Sequence, residues 1–263
     1  MNILDKIVAQ KRLEVARLPA RPVTPAAVRA ARREPRDFLG ALQRGQRGAP
    51  ALIAEVKKAS PSAGIIRADF DPVGIAREYE SAGAACLSVL TDVEFFQGSL
   101  EYLRRIRGAV ALPLLRKDFI IDERQILESV ENGADAILLI VRILTDEQLR
   151  RFHSLAVEAG LAALVEVHDQ GELERALAVN PALLGINNRN LDNFTVDLET
   201  TALLAEKAGQ RFIVAESGLH TGADVQRVHR AGAGAILVGE SLLRHPAGIA
   251  AKIAELLTPS QRN

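Results

Sequence analysis

Two residues of opposite charge lie on one face of an apolar run that begins at residue 51. Residues 51–57 have the composition of a β-strand, and the alternation of side chains along a strand places Ile53, Glu55 and Lys57 on the same side. Ionised groups buried in a sheet are costly unless they are paired. A carboxylate and an ammonium group at a strand end can remove one proton and donate another, which predicts an acid–base pair. The alternative is a solvated Glu–Lys pair on an edge strand.

Charged and amide side chains recur where five later strand-like runs end. They stand in Arg116-Lys117-Asp118-Phe119, Glu166-Val167-His168, Asn187-Asn188-Arg189-Asn190, Glu216-Ser217-Gly218 and Gly239-Glu240-Ser241. In a barrel the carboxyl ends of all strands meet at one rim, and that rim carries the active site. A single strand end of this kind is explained equally well as a solvated terminus. Six ends of the same character, including the first, predict a shared site.

Glycines after the last two strand-like runs indicate phosphate binding. Gly218 and Gly239 stand where barrels bind phosphate through backbone N–H groups and the start of a helix. Each could instead be an ordinary turn glycine. Glu240 brings a negative charge close to the expected anion, so we expect its side chain to point away while its amide faces inward. A phosphate ester is the predicted ligand.

The histidines show no metal-binding pattern. They are scattered at His153, His168, His220, His229 and His245, with no HxH or HExxH spacing. We therefore expect structural or surface histidines, no metal and no cofactor. Among the five, His168 is the one near the predicted site.

Eight strand-like runs alternate with amphipathic segments of helical length. The predicted strands are residues 51–57, 85–90, 113–117, 135–140, 161–167, 183–187, 211–215 and 234–238. Several helices have clear start signals: Asp71 before Pro72, Asp122 with Gln125, Thr145 with Gln148, and Asp169 with Glu172. Eight strand–helix units predict an α/β fold, a single (β/α)8 TIM barrel.

A faint repeat joins helix ends to strands and supports the count of units. Its members are Ala82-Gly83-Ala84, Asn132-Gly133-Ala134 and Ala231-Gly232-Ala233. Glycine is expected where a helix ends in a left-handed residue, so the repeat concerns fold and carries no chemistry. The alternative is an open doubly wound sheet, but the G-x-G-x-x-G that often follows its first strand is absent.

The first fifty residues predict an N-terminal helical extension packed on the barrel. Residues 1–18 form an amphipathic helix, Thr24 and Pro25 open a second one, and a third piece spans residues 37–42. We assign residues 1–50 to this extension and residues 51–263 to the barrel. We expect the first helix to cover the mouth of the site.

Bulk composition excludes several classes of protein. The chain has 263 residues, 48% of them hydrophobic, and its 33 basic and 33 acidic side chains give a net charge of zero. We therefore expect no nucleic-acid or membrane partner. The single cysteine, Cys86, lies in an apolar run and indicates a small buried side chain and a reducing compartment. We expect a cytoplasmic protein, either a monomer or a weak homodimer.

Taken together, these segments resemble the indole-3-glycerol phosphate synthases over nearly the whole chain. The resemblance is carried by Ile3-Leu4-Asp5-Lys6-Ile7, Ala54-Glu55-Val56-Lys57, Ser60-Pro61-Ser62, Thr91 with Phe95-Phe96-Gln97-Gly98-Ser99, Leu115-Arg116-Lys117-Asp118-Phe119, Leu164-Val165-Glu166-Val167-His168, Gly185-Ile186-Asn187-Asn188-Arg189-Asn190-Leu191 and Ala215-Glu216-Ser217-Gly218. Glu240 stands where that family often has a serine.

The resemblance implies a reaction on 1-(2-carboxyphenylamino)-1-deoxyribulose 5-phosphate: ring closure, loss of carbon dioxide and loss of water. The catalytic residues implied are Glu55, Lys57, Lys117, Glu166, Asn187 and Glu216. The implied phosphate contacts are Lys57, Ser60, Arg189, Ser217, Gly218, Gly239 and Glu240. Phe96, Phe119, Leu138 and Leu191 are the candidates for the slot that holds the aromatic ring, although core packing also explains the two leucines. The division of acid and base roles among Glu55, Lys57 and Glu166 is left open.

Three other functions fit parts of the pattern. One is a Schiff-base aldolase that uses Lys57 or Lys117 as the nucleophile. Another is an isomerase acting on a ribulose or ribosyl phosphate, and the third is a scaffold that binds a phosphate ligand without turnover. The number of lysines and glutamates at the predicted site argues against the last two.

Overall fold

Eight parallel strands close into a barrel in a computed structural model that describes residues 2–44, 48–191 and 193–258. The barrel strands are β1 (Ala51–Val56), β4 (Cys86–Leu90), β5 (Leu114–Lys117), β6 (Ala136–Ile140), β7 (Ala162–Val167), β8 (Leu183–Asn187), β9 (Phe212–Glu216) and β10 (Ala233–Val238). Each pairs with its neighbours in chain order, and β10 closes on β1. The predicted (β/α)8 barrel and all eight predicted strands are confirmed.

Helices surround the barrel on its outside. They are α4 (Pro72–Ser81), α5 (Leu100–Arg107), α6 (Glu123–Glu131), α7 (Asp146–Glu158), α8 (Gln170–Leu177), α9 (Glu199–Lys207), α10 (Gly222–Arg230), α11 (Glu240–Leu243) and α12 (Ile249–Leu257). A single 3-10 turn at Val141–Ile143 precedes α7. The loop after β1 also folds into a small antiparallel hairpin, β2 (Ala59–Ser60) with β3 (Gly64–Ile65), which the sequence did not predict.

The predicted start signals cap their helices. Asp71, Asp122, Thr145 and Asp169 each accept a hydrogen bond from a backbone N–H in the first turn. Such a side chain satisfies a donor that has no partner within the helix. The repeated glycines also behave as expected, because Gly83, Gly133 and Gly232 have φ angles of 94°, 90° and 109°. These local signals fix where the helices that carry them begin or end.

The barrel wall separates two apolar layers, as the alternation along β1 predicts. Ala54 and Val56 face the surrounding helices and belong to the larger core, whereas Ile53 points into the barrel. All three are buried. Continuing inward alternation then places Glu55 at the carboxyl end of the barrel interior.

The described part of the first fifty residues carries three helices: α1 (Ile3–Val15), α2 (Pro25–Ala31) and α3 (Phe38–Gln43). α2 packs outside the barrel against α6 and α7, whereas α1 and α3 lie at its two ends. Phe38 and Leu42 of α3 are buried in the interior layer together with Ile53, and so close the amino-terminal end. At the opposite end, α1 lies beside the carboxyl ends of the strands. Whether residues 1–50 are a separable unit stays a prediction.

Within the described residues, no helix combines the length and apolar character needed to cross a bilayer.

Candidate active site

One cavity opens at the carboxyl ends of the barrel strands, and every residue predicted for the site lines it. The set is Glu55, Lys57, Ser60, Phe96, Lys117, Phe119, Leu138, Glu166, Asn187, Arg189, Leu191, Glu216, Ser217, Gly218, Gly239 and Glu240. The structure thus brings together side chains that are up to 185 positions apart in the chain (Glu55 to Glu240). Their individual roles stay predictions.

Lys117 holds the central position in this cavity. At the end of β5, its Nζ donates to Glu216 Oε2 at 2.5 Å and to Glu166 Oε2 at 3.2 Å. The two carboxylates come from β9 and β7, and the lysine side chain is only 15% exposed. An ammonium group is therefore held between two acidic groups and still reaches the cavity.

The charges around Lys117 shift the pKa of all three groups. Burial disfavours the ammonium form, but the carboxylates of Glu216, Glu166 and Glu55 outweigh burial and raise the pKa of Lys117. Burial raises the pKa of Glu216 to about 8, and the charge of Lys117 offsets this only in part. For Glu166, burial is outweighed by Lys117 and by His168, so its pKa is lowered. Lys117 is therefore a cation at neutral pH, with Glu166 as its anionic partner.

Glu55 and Lys57 form the predicted pair. Lys57 Nζ lies 2.5 Å from Glu55 Oε1, and both side chains are mostly buried. A Cβ atom at Gly239 would stand 2.7 Å from the same Glu55 oxygen, so the glycine leaves room for this carboxylate. The pair belongs to the cavity wall and is not a solvated pair on an edge strand, because β1 has a neighbour on each side.

Glu216 keeps one oxygen available. Its Oε2 accepts from Lys117, but Oε1 is buried and has no hydrogen-bond partner among the described residues. A Cβ atom at Gly185 on the neighbouring strand would stand 2.4 Å from this oxygen, so only glycine leaves space for it. A buried polar atom without a partner is costly, and a polar group on a bound molecule would satisfy it.

Loops after β8 and β9 shape the opposite side of the cavity. Asn187 Oδ1 accepts from the Arg189 backbone N–H at 3.0 Å, and this turn directs the arginine to the cavity rim. Asn188, which we did not predict as a site residue, is buried and donates to the backbone oxygens of Glu216 and Ser217. It fixes the position of the chain between β9 and Gly218, where the phosphate is expected.

At the end of β10 the cavity adjoins the first turn of α11. The first N–H groups of a helix have no partner within it, and α11 begins directly after Gly239. Ser241 Oγ donates to the Leu219 oxygen at 3.0 Å and ties this turn to the loop after β9. The Glu240 carboxylate is paired with Arg244 at 3.2 Å, so its charge is partly neutralised. That it points away from a bound phosphate stays a prediction.

The remaining wall is apolar. The rings of Phe96 and Phe119 pack with centroids 6.0 Å apart and planes inclined by 38°. Phe194 also lines the cavity and was missed, because it comes from a loop with no strand or helix pattern, where its own φ is +60°. Leu4 and Ile7 of α1 complete the wall, in agreement with the expectation that the first helix covers the mouth.

A buried ion cluster holds α1 in this place. Lys11 is 2% exposed, and its Nζ lies 3.1 Å from Asp92 and 2.9 Å from Asp118. Arg116 contacts the other oxygen of Asp118 at 3.0 Å, so the arginine that precedes Lys117 faces away from the cavity. Although burial favours the protonated acid, Arg116 and Lys11 lower the pKa of Asp118. The cluster is therefore structural and fixes α1 beside the carboxyl ends of the strands.

The part of the chain that the structure describes contains no group of three His, Cys, Asp or Glu side chains arranged to hold a metal ion.

Comparison with known proteins gives one consistent result. The family profile described as indole-3-glycerol phosphate synthase matches residues 4–256. The indole-3-glycerol phosphate synthase of Polaromonas sp. strain JS666 is 51% identical over 247 residues, which cover 92% of this chain and 94% of the relative. The protein of the same name from Microcystis aeruginosa is 52% identical over 254 residues, covering 93% and 86%. With this coverage and identity, the chain belongs to the indole-3-glycerol phosphate synthase family.

Proposed function

We propose that the cavity at the carboxyl ends of the strands performs the indole-3-glycerol phosphate synthase reaction with Lys117 as its general acid. The substrate is 1-(2-carboxyphenylamino)-1-deoxyribulose 5-phosphate. The observation that carries the assignment is the position of Lys117, which is held as a cation between Glu166 and Glu216 and faces the cavity. Family membership gives the reaction, and the geometry supports the roles.

Ring closure is the first step. The aromatic carbon that bears the carboxylate attacks the ketone carbon, and the electrons of the carbonyl bond move to its oxygen. That oxygen takes a proton from Lys117 Nζ, which becomes an amine. Placing the donor in a partly buried pocket strengthens its interaction with the developing oxyanion. The flanking glutamates aim the ammonium group before the substrate arrives.

Loss of carbon dioxide follows at the same ring carbon. The bond to the carboxylate breaks, and its electrons restore the aromatic ring. Since the negative charge disappears in this step, a strong cationic grip on the carboxylate would oppose it. The apolar wall of Phe96, Phe119 and Leu191 suits the aromatic ring, and it provides no cation that would hold the departing carboxylate.

Dehydration completes the indole, and the Glu55–Lys57 pair supports it. The hydroxyl at the former ketone carbon leaves with a proton donated by Lys57. Glu55 accepts a proton from the neighbouring methylene carbon, and the electrons of that bond form the new double bond. The 2.5 Å contact between the two side chains keeps acid and base side by side and lets a proton return between them.

The other polar groups hold the substrate. The free oxygen of Glu216 can form a hydrogen bond with the substrate nitrogen or with a substrate hydroxyl. Asn187 can form hydrogen bonds with the sugar hydroxyls. Lys57, Ser60 and Arg189 supply positive charge and hydroxyl contacts for the phosphate. Backbone groups near Ser217, Gly218, Gly239 and Glu240 complete this end of the cavity. A monomeric or weakly dimeric state and a cytoplasmic location stay predictions.

A turnover assay with trapping tests the proposal against its main rival. Purified protein is incubated with the substrate, and formation of the indole ring of indole-3-glycerol phosphate is followed by fluorescence, with and without borohydride. The proposal expects indole-3-glycerol phosphate and no reduced adduct on any lysine. A Schiff-base aldolase would give a reduced substrate adduct on Lys57 or Lys117. Such an adduct, or the absence of indole-3-glycerol phosphate, would overturn the proposal.

A further inference from the structure

His168 is the charged residue of this region that the proposed steps do not use. It follows β7 directly and does not line the cavity, and its side chain is only 4% exposed. Its two ring nitrogens face two different carboxylates: Nδ1 is hydrogen-bonded to Glu172 Oε2 at 2.9 Å, and Nε2 lies 3.3 Å from Glu166 Oε1, at ion-pair distance but without hydrogen-bond geometry. Two carboxylates at this distance favour the imidazolium over the neutral imidazole.

Glu172 fixes the outer end of this arrangement. Its Oε2 accepts from the His168 backbone N–H at 2.9 Å as well as from the ring. Glu172 stands in the first turn of α8, and its own backbone N–H is capped by Asp169 at 2.9 Å. If this carboxylate swung away, it would lose its hydrogen bonds to both the backbone N–H and the ring of His168. It is a fixed support for the imidazole.

The inner end of the arrangement is the catalytic lysine. Glu166 uses Oε1 toward His168 and Oε2 toward Lys117, so both of its oxygens face cations. The charges alternate along the row Glu172, His168, Glu166, Lys117. A carboxylate held between two cations has a defined rotation and is a weak base.

We propose that His168 is a positioning residue: as an imidazolium clamped by Glu172, it holds Glu166 in the anionic state and rotation that aim Lys117 at the substrate. The inference rests on the proposed function of Lys117. It also bears on the open division of roles, because it makes Glu166 the support of the acid and leaves the base role to Glu55.

The titration behaviour agrees with the geometry. Burial opposes a charge on the imidazole, but Glu166 and Glu172 outweigh burial and raise the pKa of His168 to about 10. These two are the charged groups that act on the ring, one from its own strand and one from α8. Lys117 and Glu216, from β5 and β9, stand beyond Glu166.

The main test variant removes the charge of His168 but keeps a hydrogen-bond donor at that position. His168→Gln retains an amide N–H near Glu166, whereas His168→Leu removes the donor as well. We expect kcat to fall about tenfold in His168→Gln, with KM within about twofold of wild type. Without the imidazolium the pKa of Glu166 rises, so the acid limb of the kcat–pH profile moves to higher pH by about 1 unit. Glu172→Gln moves the limb in the same direction.

Two controls keep the outcome decisive. His229→Gln changes a half-buried histidine whose Nδ1 lies 2.9 Å from the Ala233 oxygen, outside the cavity, and should leave the profile unchanged. Thermal unfolding of each variant reports whether it is folded, and His168→Gln carries the test if His168→Leu does not fold. An unchanged acid limb in folded His168→Gln, or a loss confined to KM, overturns the inference. Absence of turnover in the wild type would instead overturn the proposed function.

Discussion

Replacing Lys117 by methionine removes the charged end of the side chain and keeps most of its volume. In the native protein the ammonium group lies 3.2 Å from Glu166 and 2.5 Å from Glu216, which are themselves 2% and 1% exposed. The variant removes the cation between two buried carboxylates, of which only Glu166 keeps a cationic neighbour, His168. We expect it to lose both turnover and stability, for separate reasons.

The loss of turnover comes from the missing proton donor. General acid catalysis by a positioned side chain contributes about 10²- to 10⁴-fold, so kcat should fall by about 10²-fold or more. The phosphate contacts and the apolar wall are untouched in Lys117→Met. We therefore expect KM to stay within about threefold of wild type.

The loss of stability comes from uncompensated charge and depends on pH. Removing one partner of a buried ion pair costs about 3 kcal/mol or more when the remaining charge cannot be neutralised. The pKa of Glu216 is already raised by burial and by Glu166, and without the lysine it rises further above the unfolded value, so folding takes up a proton. Stability of Lys117→Met should therefore be lowest at high pH and recover as the pH falls toward 5.

A double variant separates the two effects. In Lys117→Met with Glu216→Gln, only one carboxylate remains, so urea unfolding should show most of the stability restored. Indole fluorescence should still show the full loss of kcat. Lys252→Met is the matched control, because this lysine is likewise largely buried, at 7% exposed, and is paired with Glu255 but lies outside the cavity. If the double variant regained turnover, Lys117 would be structural and the reasoning about its acid role would be refuted.

Three further predictions concern neighbouring parts of the site. Because the pKa of Glu216 is about 8 against an ordinary 4.5, the stability that this group contributes is present below pH 4.5 and is lost as the pH rises to about 8. Glu216→Gln should lack this loss, and urea unfolding in which wild type and variant lose stability equally with pH would contradict the prediction. Arg189→Ala should raise KM about tenfold with little change in kcat, and steady-state kinetics in which kcat carries the loss would argue against a phosphate contact. Leu4→Ala with Ile7→Ala should also raise KM about tenfold by opening the apolar wall, whereas an unchanged KM would remove the lid role of the first helix.

The fold was predictable because its signals are local. The helix starts follow from side chains such as Asp122 and Thr145, and strand inward faces follow from alternation, as for Ile53. The hairpin formed by β2 and β3 escaped prediction because strands of two residues have no periodicity to detect. The single turn of α11 and the 3-10 turn at Val141–Ile143 were also not predicted, because one turn is too short to show a helical period.

The composition of the cavity was predictable where strands deliver the residues. Parallel strands bring their carboxyl ends to one rim, so Lys117, Glu166 and Glu216 are neighbours once the barrel is assumed. The Glu55–Lys57 pair follows from alternation along one strand, whereas the contact of Lys117 with Glu216 depends on side-chain reach across the barrel and was not predicted. The approach of Phe194 also depends on the path of a loop, which no sequence pattern specifies.

The crystal structure of this protein with indole-3-glycerol phosphate is the most direct measurement of how the cavity works. We predict the phosphate within hydrogen-bond distance of Arg189 and of backbone N–H groups at Gly218 and Gly239. The indole ring should lie against Phe96, with Lys117 Nζ turned toward the ring carbon that carried the hydroxyl. A product bound with its phosphate at another end of the cavity, or with Lys117 shielded from it by both glutamates, would contradict the assignment of the acid.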